Sequence, residues 1–391
     1  MSVCSYVRDI MRASPGMDAV LAAPATRRLE ELCVELRSEF FHSGDEYVLP
    51  ASRIPSRCLR RLELHGCTLG PPDVVGSLEG LQAMLYASPN LSQLWLERVS
   101  FTAEELGRDW YHEMRRRRVL LGCPGATVAV TVMDCHGTDG LDVDAPGARS
   151  LRYKGYLEHF PFGAAGESAG PPAQRGFSGL RALKLELLDI NDIAIRSEEE
   201  EDAFLRVFPE LVFLELQGSY EVDAHGAAVA IANLLLCCPA LQEFHLDLKV
   251  HGDPYARHKR VLHQSDERKA QLGLEKYMES LKRLKSEKIV ASPSSGVDDG
   301  DGCGDVDLAV IRACSFPCLE SHLRKIKLEF ELECFDCFEV RLAKFLVENA
   351  LVLEEIEVHD GNQTVYDHIH HKLPIWRAKS SKSKIKIVGK S

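Results

Sequence analysis

Leucine recurs in this chain as LxxLxL, and the spacing of those groups limits the available folds more than any other feature. Leu29, Leu32 and Val34 form the first group, Leu59, Leu62 and Leu64 the second, and Leu91, Leu94 and Leu96 the third. Leu180, Leu183 and Leu185, then Leu211, Leu214 and Leu216, then Leu241, Phe244 and Leu246 continue the pattern. Leu323, Ile326 and Leu328, and finally Leu353, Ile356 and Val358, complete it. Lead positions 29, 59 and 91, and again 180, 211 and 241, lie 30 to 32 residues apart. Within each group apolar and polar residues alternate, as on a half-buried strand. Between the last two groups Phe338, Leu342, Phe345 and Leu346 recur at helical spacing. Strand, return helix and second strand therefore fit into one repeat. Neither element can bury its apolar face alone, so such units must stack. The expected fold is α/β: a leucine-rich-repeat solenoid with a curved, mostly parallel sheet on one side and helices on the other.

Two repeats are blurred. In CPGATVAVTV, Val128, Val130 and Val132 alternate without a leucine in the lead, and in APGARSLRYKG, Leu151 and Tyr153 take the second and third apolar places. Pro89, Pro209 and Pro239 stand two residues before a lead position, where proline closes the preceding helix. Ala227 to Leu236 and Glu198 to Val207 read as helices, the latter with Ser197 as cap and an acidic first turn. Residues 1–28 read as helical up to Pro24. The period fails between Val250 and Phe316. A Lys/Arg-rich stretch, His258 to Lys288, is followed by Ser292 to Asp307, which offers almost nothing to bury. Three regions result: repeats over 1–250, an insertion over 251–316, partly helical and then disordered, and terminal repeats with a C-terminal cap over 317–391. Ile385 and Ile387 supply a last short strand for that cap.

A net charge of -12 argues against broad affinity for nucleic-acid phosphates. The 13 cysteines are odd in number and scattered. Cys33, Cys67, Cys237 and Cys238 sit at apolar repeat positions, which reads as buried, reduced thiols rather than a disulfide framework. Arg8, Asp9, Arg12 and Asp18 interrupt any signal-peptide pattern, and the longest apolar run, Ala227 to Cys238, is too short to span a bilayer. A cytoplasmic or nuclear setting is expected, with no membrane and no nucleic-acid partner.

No GxxxxGK[ST], GxGxxG after a strand, GxSxG or HExxH occurs, so no enzyme activity and no cofactor are expected. Cys334 and Cys337 form CxxC upstream of His368, His370 and His371, but that spacing does not converge four ligands, and no metal is expected there. Arg115 to Arg118 reads as a solvated helix face, and the basic tail from Lys379 lacks the aromatic residues that base stacking needs. The inner face of the sheet remains. Strand alternation aims the residues between the leucines toward it. These are Glu63 and His65, Trp95 and Glu97, Arg152 and Lys154, and Lys184 and Glu186. Glu215 and Gln217, His245 and Asp247, Lys327 and Glu329, and Glu357 and His359 follow. Trp95 is the expected anchor for a partner, because tryptophan buries a large area at few rotatable bonds.

CLESHLRKIKLEFELECFDCFEVRLAKFLVENALVLEEIEV resembles the FBD region of plant F-box/LRR-repeat proteins, the candidate substrate receptors of SCF-type ubiquitin ligases. CLRRLELHGCTLGPP and APGARSLRYKG resemble the repeats that precede that region in the grass members, so the similarity runs from about residue 25 to 360. It implies a protein-binding module that holds a substrate protein for ubiquitination. Residues 1–28 contain neither the LPxxxLxxIL start nor the Arg-Trp-rich helix of an F-box. A Skp-type adaptor is therefore not an expected partner of these residues. The alternatives are a stand-alone scaffold or competitor, or a repeat protein that senses a small hormone-type ligand.

Overall fold

A computed structural model describes residues 2–7, 28–36, 48–49, 57–69, 77–101, 119–135, 141–155, 179–193, 208–220, 225–250, 308, 311–312, 314–330, 338–360, 370–376 and 386–388. The chain is α/β, and one parallel sheet dominates it. In chain order the first strands are β1 (Ser2–Val7), β2 (Glu31–Leu36), β3 (Val48–Leu49), β4 (Arg61–His65), β5 (Thr68–Leu69), β6 (Gln93–Glu97) and β7 (Ser100–Phe101). Then come β8 (Val119–Gly122), β9 (Ala129–Met133), β10 (Leu141–Asp144), β11 (Ser150–Gly155), β12 (Ala182–Leu187) and β13 (Phe213–Tyr220). The last are β14 (Glu243–Val250), β15 (Lys325–Phe330), β16 (Glu355–Asp360) and β17 (Lys386–Val388). Twelve of them form the main sheet in the order β1-β2-β4-β6-β9-β11-β12-β13-β14-β15-β16-β17. That order follows the sequence from one edge to the other, so it never reverses. Among the described strands no reversal of order forms the crevice that nucleotide-binding open sheets use.

The leucines explain the register. Leu32, Leu62 and Leu94 lie level on successive strands, as do Val34, Leu64 and Leu96. The same two rows continue through Leu151, Leu183, Leu214, Phe244, Ile326 and Ile356 and through Tyr153, Leu185, Leu216, Leu246, Leu328 and Val358. Both rows are buried. A slip of one residue would turn every one of these side chains to the other face, which fixes the register strongly. The lead leucines form a third buried row at the start of the strands.

A backbone junction repeats with the same geometry along the sheet. The carbonyl of Glu30 accepts from the N–H groups of both Arg60 and Arg61, and that of Arg60 accepts from Ser92 and Gln93. Ser92, Val128, Arg149, Arg181, Val212, Gln242 and Arg324 accept in the same manner from the next strand in line. At the other end of three strands the chain turns through a left-handed residue: Gly66 (φ 65°), Arg98 (φ 50°) and Asp134 (φ 50°). Each donates its N–H to the neighbouring strand, to Glu97, Met133 and Lys154 respectively, at 2.8 Å. Glycine takes this conformation freely, whereas Arg98 and Asp134 hold it at a cost of about 1 kcal/mol.

Small parallel sheets flank the main one. β3, β5 and β7 form one, and β8 and β10 form another. The helices α1 (Ser77–Tyr86), α2 (His225–Cys237), α3 (Pro317–Ser321) and α4 (Phe338–Asn349) contribute Leu81, Leu85, Ile231, Leu234, Leu342 and Leu346 to the same buried cluster as the strand leucines. A short 3-10 helix, Ile190–Ile193, packs against α2. No helix among the described residues is long and apolar enough to cross a membrane.

Several expectations change. Residues 2–7 form a parallel strand on β2 instead of helix, with Ser2 level with Glu31 and Val7 with Leu36. That pairing is non-local, and helical periodicity in residues 1–28 carries no trace of it. The rest of that stretch, the helix expected over Glu198 to Val207, the insertion from 251 to 307 and Cys334 with Cys337 lie outside the described residues. In the blurred fourth repeat the buried lead residue is Thr127, whose hydroxyl donates to the carbonyl of Leu91 at 2.9 Å. Val128 is 40% exposed. Cys33 is half-buried on the polar face, not an apolar position, because it alternates with Leu32 and Val34. Leu308, Ile311 and Phe316, placed by sequence in the insertion, are buried in the core. β17 places Ile387 level with Ile356, and Ile385, the other residue expected in a last strand, lies outside the described residues.

Burial pushes the thiols of Cys67, Cys123 and Cys318 up to about 12. In the unfolded chain they would ionise near about 8.5. Folding stability from these groups is therefore complete below about 8.5 and falls as pH rises toward 12, because the unfolded state then releases more protons. We expect the unfolding midpoint to drop steeply between about pH 9 and 10.5, by up to about 1.4 kcal/mol per thiol and pH unit. Alkylation mapped by mass spectrometry at pH 8 should modify exposed Cys58 and spare these three until the protein is unfolded.

Candidate functional site

The polar face opposite the leucines is built by the same alternation. Every residue expected there is half-buried and stands in one of two straight rows across the strands. The first row runs Glu63, Trp95, then Arg152, Lys184, Glu215, His245, Lys327 and Glu357. The second runs His65, Glu97, then Lys154, Glu186, Gln217, Asp247, Glu329 and His359. Neighbours within a row are one strand apart, whereas Glu63 and Glu357 are eight strands apart, roughly 38 Å at the usual interstrand spacing. These residues form a long ladder and do not converge on one point.

The ladder is cross-linked by charge. Lys154 Nζ lies 2.6 Å from Glu186 Oε1, Lys184 Nζ 2.7 Å from Glu215 Oε2, and Lys327 Nζ 2.5 Å from Glu329 Oε1. The bonded carboxylates hold the Lys154 and Lys327 ammonium groups above the usual lysine range. Burial acts to raise the carboxyl of Glu357, but Lys325, a hydrogen bond with Glu355 and His359 together outweigh it and leave the group below its ordinary value. With both partners part-exposed, each pair contributes at most about 1 kcal/mol to stability. Their effect is to hold flexible side chains in fixed places.

Trp95 stands between Glu63 and Thr131 on the neighbouring strands. Its indole Nε1 donates to Glu97 Oε2 at 3.2 Å, and its ring centroid lies 5.9 Å from that of His65. It occupies the fourth strand of the sheet and so does not shield its edge. These contacts hold the ring in one orientation.

Sequence reasoning passed over a third row on this face, one step toward the strand starts: Arg61, Gln93, Phe213, Glu243, Lys325 and Glu355. Phe213 matters most. It is half-buried, carries Lys184 over its ring at 5.4 Å, and meets His245 edge-on at 5.0 Å. A phenylalanine next to Leu214 reads as core, and only its place in the two-residue alternation reveals the outward side. Cys33, Glu35, Thr131 and Met133 also belong to the two predicted rows. The repeat of Thr131 and Met133 lacks a lead leucine, and in that of Cys33 and Glu35 the cysteine suggests an interior position.

The recesses formed by described residues on this face are small. The larger one, near Lys154, Glu186, Gln217 and Lys249, encloses about 200 Å³, against roughly 300–1,000 Å³ for sites that engulf a small molecule. Of the histidines after the CxxC pair, His370 is half-buried and His371 exposed. No protein-family model, curated protein or solved structure matches the chain.

Proposed function

We propose that the chain is a leucine-rich-repeat solenoid whose polar sheet face binds a protein, with the role implied by its F-box/LRR and FBD resemblance: holding a substrate protein for ubiquitination. The observation that carries this reading is the face itself. Two rows of half-buried, mostly charged side chains run level across consecutive parallel strands, with Trp95 beside the Arg61–Glu63 and His65–Glu97 pairs and Phe213 under Lys184. Such a surface offers aromatic anchors inside a polar surround, which is the anatomy of a protein interface. Its length suits an extended partner. The mixed signs of its charges do not suit a nucleic-acid backbone, and its shallow recesses favour a protein over a small hormone-type ligand.

The test is affinity capture with the wild-type chain and with a variant carrying Trp95→Ala and Lys184→Glu. Tyr86→Ser and Leu351→Ser, both exposed and away from this face, serve as controls. Bound proteins should fall at least tenfold with the face variant, about the loss of one anchor residue, and stay with the controls. An identical set at identical levels in all samples would dismiss the face as the binding surface.

A further inference from the structure

At the N-terminal end of the polar face three metal-ligating side chains of different chemistry meet. Cys33 Sγ, a carboxylate oxygen of Glu63 and a ring nitrogen of His65 lie within 4.8 Å of one another. The backbone explains the meeting: β2 and β4 pair so that Cys33 is level with Glu63, and His65 stands two residues further along the same face. All three are half-buried. We propose that Cys33, Glu63 and His65 form a binding site for a borderline-soft divalent transition metal of the zinc class.

Thiolate, imidazole and carboxylate are the three donor types that zinc accepts. In a tetrahedral site with bonds of about 2.0–2.3 Å the ligand atoms stand roughly 3.3–3.8 Å apart. The three atoms start within 4.8 Å of one another on strands already in register, so the movement needed is on the order of 1 Å. The surroundings orient the ligands. His65 Nδ1 lies 3.1 Å from Glu97 Oε2, and in the tautomer that donates to this carboxylate Nε2 keeps its lone pair for a metal. Trp95 Nε1 donates to that same carboxylate oxygen and fixes it. This carboxylate–histidine arrangement is the usual outer support of a metal-binding imidazole. Arg61 contacts Glu63 through Oε1 alone, at 2.6 and 2.8 Å, so a metal can take Oε2 without displacing it. Three protein ligands leave a coordination position for water or a donor from a bound partner. Two of the ligands are 30 or more residues from the third, a separation that no short Cys/His motif reveals.

The full chain, stripped with a chelator and kept reduced with a phosphine, should be titrated with Co2+ and then Zn2+. One equivalent of Co2+ should give a thiolate-to-cobalt charge-transfer band with intense tetrahedral d–d bands, and one equivalent of Zn2+ should abolish both. Cys33→Ser should remove the charge-transfer band, and Cys58→Ser should leave it unchanged. Glu97→Gln should weaken Zn2+ binding by about tenfold to a hundredfold while keeping the band, the usual effect of losing an outer partner. Circular dichroism and thermal melting of Cys33→Ser should match the wild type, since Cys33 lies outside the leucine core. Absence of a thiolate band in the wild type, or a band that survives Cys33→Ser, would overturn the assignment.

Discussion

Leu214→Glu should destabilise the protein by about 5 kcal/mol or more, enough to unfold a domain of ordinary stability. Leu214 is fully buried between Leu183 and Phe244 on the neighbouring strands. Removing its branched side chain alone costs about 2–5 kcal/mol, and a carboxylate there would have no partner to replace water. Glu215 provides the contrast. It is the next residue along the same strand but faces the polar side, paired with Lys184. Glu215→Leu should change stability by less than about 1 kcal/mol. Urea unfolding followed by circular dichroism reads both. Similar losses for the two variants would mean that the strand does not present opposite faces to core and solvent.

Tyr220→Phe should cost about 3 kcal/mol. Tyr220 lies at the end of β13 and Glu339 in the first turn of α4, and both are buried. The Tyr220 hydroxyl donates to Glu339 Oε1, and the ring packs 5.6 Å from Phe338. Phenylalanine preserves that packing and removes the one hydroxyl proton, leaving a buried carboxyl oxygen without its donor, which is the expensive half of losing a hydrogen bond. Replacing both partners should recover much of the loss: Tyr220→Phe with Glu339→Leu is expected to sit within about 1.5 kcal/mol of the wild type. A double-mutant cycle by chemical denaturation measures this coupling. Additive effects of the two substitutions would contradict the contact. The pair joins two parts of the chain 119 residues apart, across the 251–307 stretch.

Much of the fold could be read from the sequence because two apolar positions per strand, separated by one polar residue, are enough to assign both faces. The main-sheet strands centred on Leu62, Leu94, Leu183, Leu214, Phe244, Ile326 and Ile356 stand where that spacing places them. Legibility ends where burial is achieved by other chemistry. Thr127 takes a lead position by bonding Leu91 through its hydroxyl, and Ala148 takes another by being small. Neither resembles leucine. β3, β5 and β7 are two residues long each, too short to show a period. The face residues followed from alternation, but Phe213 and Cys33 were hidden by residue type. Phenylalanine and cysteine suggest an interior, and only the register sets them outside.

The junction between β14 and β15 has a further consequence. Val250 ends one strand and Lys325 begins the next, yet the two pair over six residues as any neighbours do, and the Gln242 carbonyl still receives its two N–H donors. The sheet registers where the chain leaves and returns, and not how far it travels between. A change of length confined to 251–307 should therefore leave the alignment of β14 and β15 intact, whereas the return path through Leu308, Ile311 and Phe316 belongs to the core and cannot be exchanged.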